Sequence, residues 1–311
     1  MRKPQSTQEE LESFEKKRIV LQGKEAGLTP FIFGVPIIVL LLTVGLTHNI
    51  GIALTLTILS AVISGIVRHF TVGIEYNTLK VNVRKALVRE FMSTYHPETE
   101  YKFFQHKKIV KEIVRQSGLV PSANRYYEED VISGTHKGAE FYFSEIQLKR
   151  KKDKSSKTKF KGILFRIKIP GKSFPKSKIQ SRQGLFSSVF GNFIHNTEFD
   201  FFIESKNQAR LEKELRPLFP FIAHLKARQG DVRISTAGDE IVLLMNSNMK
   251  LLDDPHQHID QTFLLEEYKT KVARQLNTLL FIVDSFVNNA DTSEIEERLE
   301  LKTLVEVKKE I

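Results

Sequence analysis

Three groups of residues in this 311-residue chain have types and spacing suited to chemistry. The first, Asp253-Asp254-Pro255-His256-Gln257-His258-Ile259-Asp260, packs two imidazoles and three carboxylates into eight residues. These ligand types suit zinc or manganese, with Asp254, His256 and His258 as the candidate set. Pro255 makes the segment a loop, and an acidic loop ahead of a helix has an ordinary electrostatic explanation at the helix N-terminus. The second group is Tyr126-Tyr127-Glu128-Glu129-Asp130, just ahead of the first expected strand. Paired carboxylates do acid–base work when their surroundings push their pKa values apart, whereas adjacent acids in a loop simply face water. The third is the basic run Lys149, Arg150, Lys151, Lys152, Lys154, Lys157, Lys159 and Lys161.

Common catalytic signatures are missing. The sequence has no GxSxG, HExxH, GxGxxG or EF-hand pattern. Gly171-Lys172-Ser173 ends like a phosphate-binding loop, but the glycine required five residues earlier is Arg166. With no cysteine there is no disulfide framework and no thiolate metal site. No cofactor is expected, and binding rather than catalysis is the expected role. The alternative is a membrane-anchored enzyme that uses Glu128, Glu129 and Asp130 or the Asp253 to Asp260 cluster.

Charge is concentrated in one element. Residues 149–182 hold 14 Lys and Arg against one acid, Asp153; that local excess of +13 leaves the rest of the +10 chain at −3. The densest part lies between two strand-like runs, Ala139 to Leu148 and Phe160 to Ile169. In the second, Ile163, Phe165, Ile167 and Ile169 alternate with Leu164, Arg166 and Lys168, the period of a half-buried strand. The basic residues are then expected in a hairpin loop. Such a loop is either a solvated, self-repelling segment or a contact for anionic lipid, where each Lys or Arg near the leaflet is worth ~1 kcal/mol. Nucleic acid is not the expected partner, because no stacking aromatics are interleaved with these charges. Beyond the run, Leu185, Phe186, Val189, Phe190, Phe193 and Ile194 repeat at helical spacing. That segment, 185–194, reads as an amphipathic helix bound for either a core or a membrane interface.

The elements that position these groups begin with a membrane anchor. Between Glu25 and Arg68 lie 42 residues without an acid, Lys or Arg. As one helix they would run about 63 Å, twice the ~30 Å hydrocarbon thickness of a bilayer, so two spans are expected. The polar pair His48-Asn49, followed by Gly51, marks the turn between Phe31 to Thr47 and Ile50 to Val67. The mostly polar segment that precedes the first span does not match signal-peptide anatomy. A buried soluble hairpin would need two neighbouring helices that are apolar all round. Lys16, Lys17, Arg18 and Lys24 precede the first span and Arg68, Lys80, Arg84 and Lys85 follow the second, so both termini are expected in the cytoplasm. Ser60, Ala61, Ser64 and Gly65 form two small-xxx-small pairs through which another helix can approach.

Further on, a helix is predicted to continue from the second span to Pro97, and another over Phe103 to Ser117, ended by Gly118. A strand is expected at Phe199 to Ile203. Ser205 and Gln208 look like a capping box opening a helix through Leu215. Val232 to Ser235 and Glu240 to Met245 read as a hairpin, and Asp260 to Val287 as a helix.

In order along the chain, Tyr127-Glu-Glu-Asp-Val-Ile-Ser-Gly134, Phe143-Ser-Glu-Ile146, Phe160-Lys-Gly-Ile-Leu-Phe165, Glu198-Phe199 and Gln208-Ala-Arg210 resemble a family of bacterial membrane proteins catalogued as a domain of unknown function. The resemblance covers about 103–245 and departs at Leu211, where the family has Tyr. It implies two N-terminal spans, a cytosolic domain and, from the family's frequent association with LemA-type proteins, a membrane-associated protein partner. It implies no reaction.

The expected fold class is α+β: an N-terminal transmembrane helical hairpin followed by a cytosolic domain with a mainly antiparallel sheet and flanking helices. The expected divisions are a cytosolic segment 1–29, the hairpin 30–67, juxtamembrane helices 68–118, the α+β domain 119–290 and an acidic tail helix 291–311. The expected location is the bacterial inner membrane.

Overall fold

A computed structural model describes residues 7–104, 109–152, 155–181, 194–196, 198–205, 207–246, 252 and 265–288. The chain divides into two units, Met1–Phe91 with Asp254–Val272, and Met92–Asp253 with Ala273–Ile311.

In the first unit, α1 (Thr7–Thr47) and α2 (Ile50–Arg68) form an antiparallel hairpin. His48 adopts φ 51°, and the Asn49 side chain accepts hydrogen bonds from the Gly51 and Ile52 amides, capping α2. The turn therefore falls where the polar pair interrupts the apolar run. A π-helical turn, His69–Gly73, joins α2 to α3 (Ile74–Tyr95). Glu25 and Arg68, the charges that bound the uncharged stretch, pair with each other across the hairpin. Lys24–Glu75 and Glu10–Arg89 continue this tie below it. Helix α1 thus starts well inside the segment expected to precede the span.

Two helices in this unit are long and apolar enough to cross a membrane. Their apolar side chains face outward, Leu46 being 81% exposed and Phe31 65%. A soluble core helix would bury such residues, whose contact with water is unfavourable over so large a patch. The inner seam is narrow. Pro36 and Thr43 on α1 and Ala53 on α2 are buried, with Thr57, Ser60 and Ser64 half-buried along the same face of α2. The hydroxyls of Thr43, Thr57 and Ser60 donate to carbonyls of the preceding turn, which satisfies these three donors within their own helices. Of the four small residues predicted to receive a neighbouring helix, Ser60 and Ser64 lie on this seam, whereas Ala61 and Gly65 are exposed. A side chain at Gly65 would meet nothing within 4 Å, so the first span makes no close approach there.

The second unit is a nine-stranded sheet in the order β1-β2-β3-β4-β9-β8-β5-β7-β6, with every neighbouring pair antiparallel. Its strands are β1 (Glu100–Phe104), β2 (Arg125–His136), β3 (Ala139–Lys152), β4 (Ser155–Lys168), β5 (Phe174–Gln180), β6 (Ile194–Asn196), β7 (Phe201–Ser205), β8 (Val232–Gly238) and β9 (Glu240–Asn246). The remaining α-helices described are α4 (Val110–Ser117), α5 (Gln208–Leu215), α6 (Phe219–Gln229) and α7 (Leu265–Asn288), with a 3-10 turn, Arg216–Leu218, between α5 and α6. The α+β class with a large antiparallel sheet stands.

Both faces of the sheet are covered at its centre. On one, Val110, Ile113 and Val114 of α4 pack with Tyr142, Ile146, Leu148, Leu164 and Leu244. On the other, Phe143 stacks on Phe141 and meets Phe165 edge-on, and α6 packs on β8 and β9. Leu164 is therefore fully buried, although the sequence pattern put it on a solvent face.

Four local expectations are corrected. Phe103 and Phe104 belong to β1, so the sheet begins ahead of 119 and the helix that follows runs only from Val110 to Ser117; Gly118, at φ 64°, terminates it. Glu128, Glu129 and Asp130 lie inside β2, not in a loop before it. Helix α5 is capped by Asn207, whose Oδ1 accepts from the Arg210 amide, while Ser205 Oγ accepts from the Asn207 amide. Among its described residues the basic stretch forms the paired ends of β3 and β4 and not a loop. The expected Phe-rich helix 185–194 lies outside the described residues apart from Ile194 at the start of β6, as does the expected tail helix 291–311.

Candidate functional site

The structure offers two polar constructions at opposite ends of β3. At one end, β2 reaches Lys149 as its last partner on β3, and β9 reaches Gly162 as its last partner on β4. Beyond these, β3 and β4 continue as a two-stranded ribbon with Arg150 opposite Lys157, Lys151 opposite Ser156 and Lys152 opposite Ser155. Asn124 fastens the ribbon by bonding both backbone groups of Lys151, accepting from its amide at 2.8 Å and donating to its carbonyl at 2.9 Å. Lys149 Nζ lies 5.1 Å from the centre of the Tyr127 ring, a cation–π contact. Arg150, Lys151, Lys152, Lys157 and Lys161 are exposed, and Lys149 and Lys159 half-buried. Lys154 lies outside the described residues, as do Asp254, His256 and His258.

The other end is built by the β2–β3 turn. His136 pairs with Ala139 across Lys137-Gly138, both at positive φ, the pattern of a type I′ turn that suits the twist of the strands. Pro97 stops α3, and the Thr99 amide donates to the His96 carbonyl at 2.9 Å before β1 begins at Glu100. Pairing of Glu100 with Thr135 then brings His96, Glu98 and Thr99 beside His136. This pairing depends on Gly134, where a Cβ would stand 1.8 Å from the Glu100 carbonyl oxygen.

His136 is 1% exposed and held at both ring nitrogens. Its Nε2 is 3.1 Å from Asp284 Oδ1 on α7, and its Nδ1 is 2.6 Å from Thr99 Oγ1. Lys137 Nζ also reaches Asp284, at 2.8 Å. Burial pushes the Asp284 carboxyl up, but hydrogen bonds and charge from His136 and Lys137 outweigh it and hold it below its ordinary value. The carboxylate only accepts, so the proton on Nε2 is donated to Asp284, and Nδ1 faces the Thr99 hydroxyl. His96 Nε2 is 3.3 Å from Asn277 Oδ1, also on α7. Glu98 Oε1 stands 3.7 Å from His96 Nδ1 and 3.8 Å from His136 Nδ1. Among the described residues, His96, Glu98 and His136 form the group whose ligand atoms, all within 4.8 Å of one another, could hold a metal ion. Their positions in sequence carry no recognisable spacing. The one local signal is the His-Pro-Glu step that ends α3.

Of the acids at 128–130, Glu128 and Asp130 are buried and Glu129 is exposed. Glu128 Oε2 accepts from the Val110 amide at the start of α4 and from the Tyr142 hydroxyl at 3.1 Å. Burial first, then the Glu128 charge and hydrogen bond, push the Tyr142 phenol well above its ordinary range. Asp130 is buried at φ 49°, beside the register shift between Glu129 and Ile132.

No protein-family model matches this chain, and no curated protein does. Among solved structures, the mycobacterial trehalose monomycolate transport factor A, TtfA, matches over 65% of this chain and 94% of that one, at 10% identity and a TM-score of 0.34.

Proposed function

We propose that this chain is a two-span protein of the bacterial inner membrane with both termini cytoplasmic, whose sheet domain uses the β3–β4 ribbon to contact anionic lipid. The observation that carries the reading is the ribbon itself. Arg150 stands directly opposite Lys157 on an exposed ladder, and like charges so placed repel. An anionic leaflet offsets that repulsion, at ~1 kcal/mol per basic residue near the surface. The outward-facing apolar helices and the basic flanks of the spans support the membrane assignment and its orientation. A membrane-associated protein partner is a second part of the proposal, motivated by the motifs between Tyr127 and Arg210 that resemble the bacterial membrane family.

The absence of native cysteine makes the test direct. The full chain carrying Ser156→Cys, labelled with a fluorophore, is placed in nanodiscs containing a headgroup quencher. Quenching is expected with anionic lipid and not with neutral lipid, and Lys151→Glu with Lys157→Glu is expected to abolish it. Equal quenching in both lipids would remove the ribbon's role.

A further inference from the structure

We propose that His96, Glu98 and His136 hold a divalent first-row metal ion, zinc by ligand type. The proposal is independent of the lipid reading and uses none of the residues on the basic ribbon.

Two imidazoles and a carboxylate are ligands suited to such an ion, and three protein ligands leave a fourth position for water or a neighbouring hydroxyl. Metal–ligand bonds of about 2.1 Å set tetrahedral ligand atoms about 3.4 Å apart. The two spacings to Glu98, 3.7 and 3.8 Å, are already near that length. The widest spacing, at most 4.8 Å, must close by about 1.4 Å. Glu98, with 56% of its side chain exposed, and His96, at 21%, have room to move, whereas His136 at 1% is the fixed point.

The outer contacts are what distinguish this group from a chance meeting of polar side chains. A metal-binding histidine usually donates its second ring N–H to a carboxylate or carbonyl, which fixes the tautomer and aims the other nitrogen. His136 does so to Asp284, and His96 to Asn277, from two positions on one helix. In both rings the other nitrogen is Nδ1, the atom nearest Glu98. Without an ion, the Thr99 hydroxyl and His136 Nδ1 share a hydrogen bond. Loading exchanges that hydrogen bond for a metal–nitrogen bond and leaves Thr99 beside the fourth position. The ion ties the segment leaving α3 to the β2–β3 turn, and Asp284 acts as a positioning residue.

The test uses the purified full chain in detergent, stripped with chelator, loaded with zinc alone, desalted, and analysed for metal content and for affinity by chelator competition. About one equivalent is expected to be retained by the wild type. Glu98→Gln, at an exposed site where folding is unaffected, is expected to weaken binding tenfold or more, and Asp284→Asn to weaken it by about 10- to 100-fold. His256→Ala with His258→Ala is expected to leave affinity unchanged. Retention below about a tenth of an equivalent, affinity unchanged in Glu98→Gln, or loss confined to the His256/His258 variant would each overturn the assignment.

Discussion

The two ends of β2 bury polar groups in opposite ways. Near its start, Glu128 is enclosed and its carboxylate oxygen is taken by the first amide of α4 and the Tyr142 hydroxyl. At its finish, His136 is as deeply enclosed, but it is lined up by Asp284 towards a carboxylate, Glu98, that faces solvent. A buried polar group whose partners are all internal holds a core together. One aimed at an exposed ligand type is placed to receive something from outside.

The strongest way to break this contrast is at Gly134, which lies between the two ends. Gly134→Ala places a Cβ against the Glu100 carbonyl, so β1 cannot keep its register. Destabilisation of about 3 kcal/mol is expected in denaturant titration, with loss of zinc affinity, since β1 carries the ligand segment into place. An unchanged unfolding midpoint would show that β1 does not pair there. A sharper comparison sets two glutamates against each other in metal-free protein. Glu128→Ala should cost about 2 kcal/mol, because two buried donors lose their acceptor, and Glu128→Gln should cost less. Glu98→Ala should stay within about 0.5 kcal/mol, as for exposed positions generally; equal costs would erase the distinction.

The smallest effect is expected in acid. The folded state holds Asp284 below its ordinary value, so its stabilising contribution is present above about pH 3.9, the unfolded value, and is lost as pH falls through the lower folded value. Asp284→Asn should flatten that part of the stability curve, measured by urea midpoints from about pH 5 to about pH 3. Identical slopes in the two proteins would exclude the His136–Asp284 contact.

What could be read in the sequence was local. His48, Asn49 and Gly51 marked the hairpin turn because a polar break in a long apolar run has few other uses, alternation marked β4, and the Ala-Gly-Asp turn between two strand-like runs marked the β8–β9 hairpin. What could not be read depended on partners distant in the chain. Three acids in a row look like a loop until Tyr142 and the α4 amide are present to hold Glu128. A run of Lys looks like a loop because the pattern reports side chains, whereas the ladder that extends β3 and β4 is made by the backbone and fastened by Asn124. His96 and His136 stand forty residues apart, and only the β1–β2 pairing unites them.

The π-turn at His69–Gly73 has a geometrical effect on the helix that leaves the membrane segment. Helical residues advance about 100° each, so Ser60 on the seam of α2 and Leu79 on the buried face of α3, nineteen positions apart, would point about 100° away from each other in an unbroken α-helix. A π-turn absorbs one extra residue, and with it about the same angle. The seam of α2 at Ser60 and the buried face of α3 at Leu79 consequently stay in phase, and the Glu25–Arg68 and Glu10–Arg89 pairs tie this helix to α1 on either side of the π-turn.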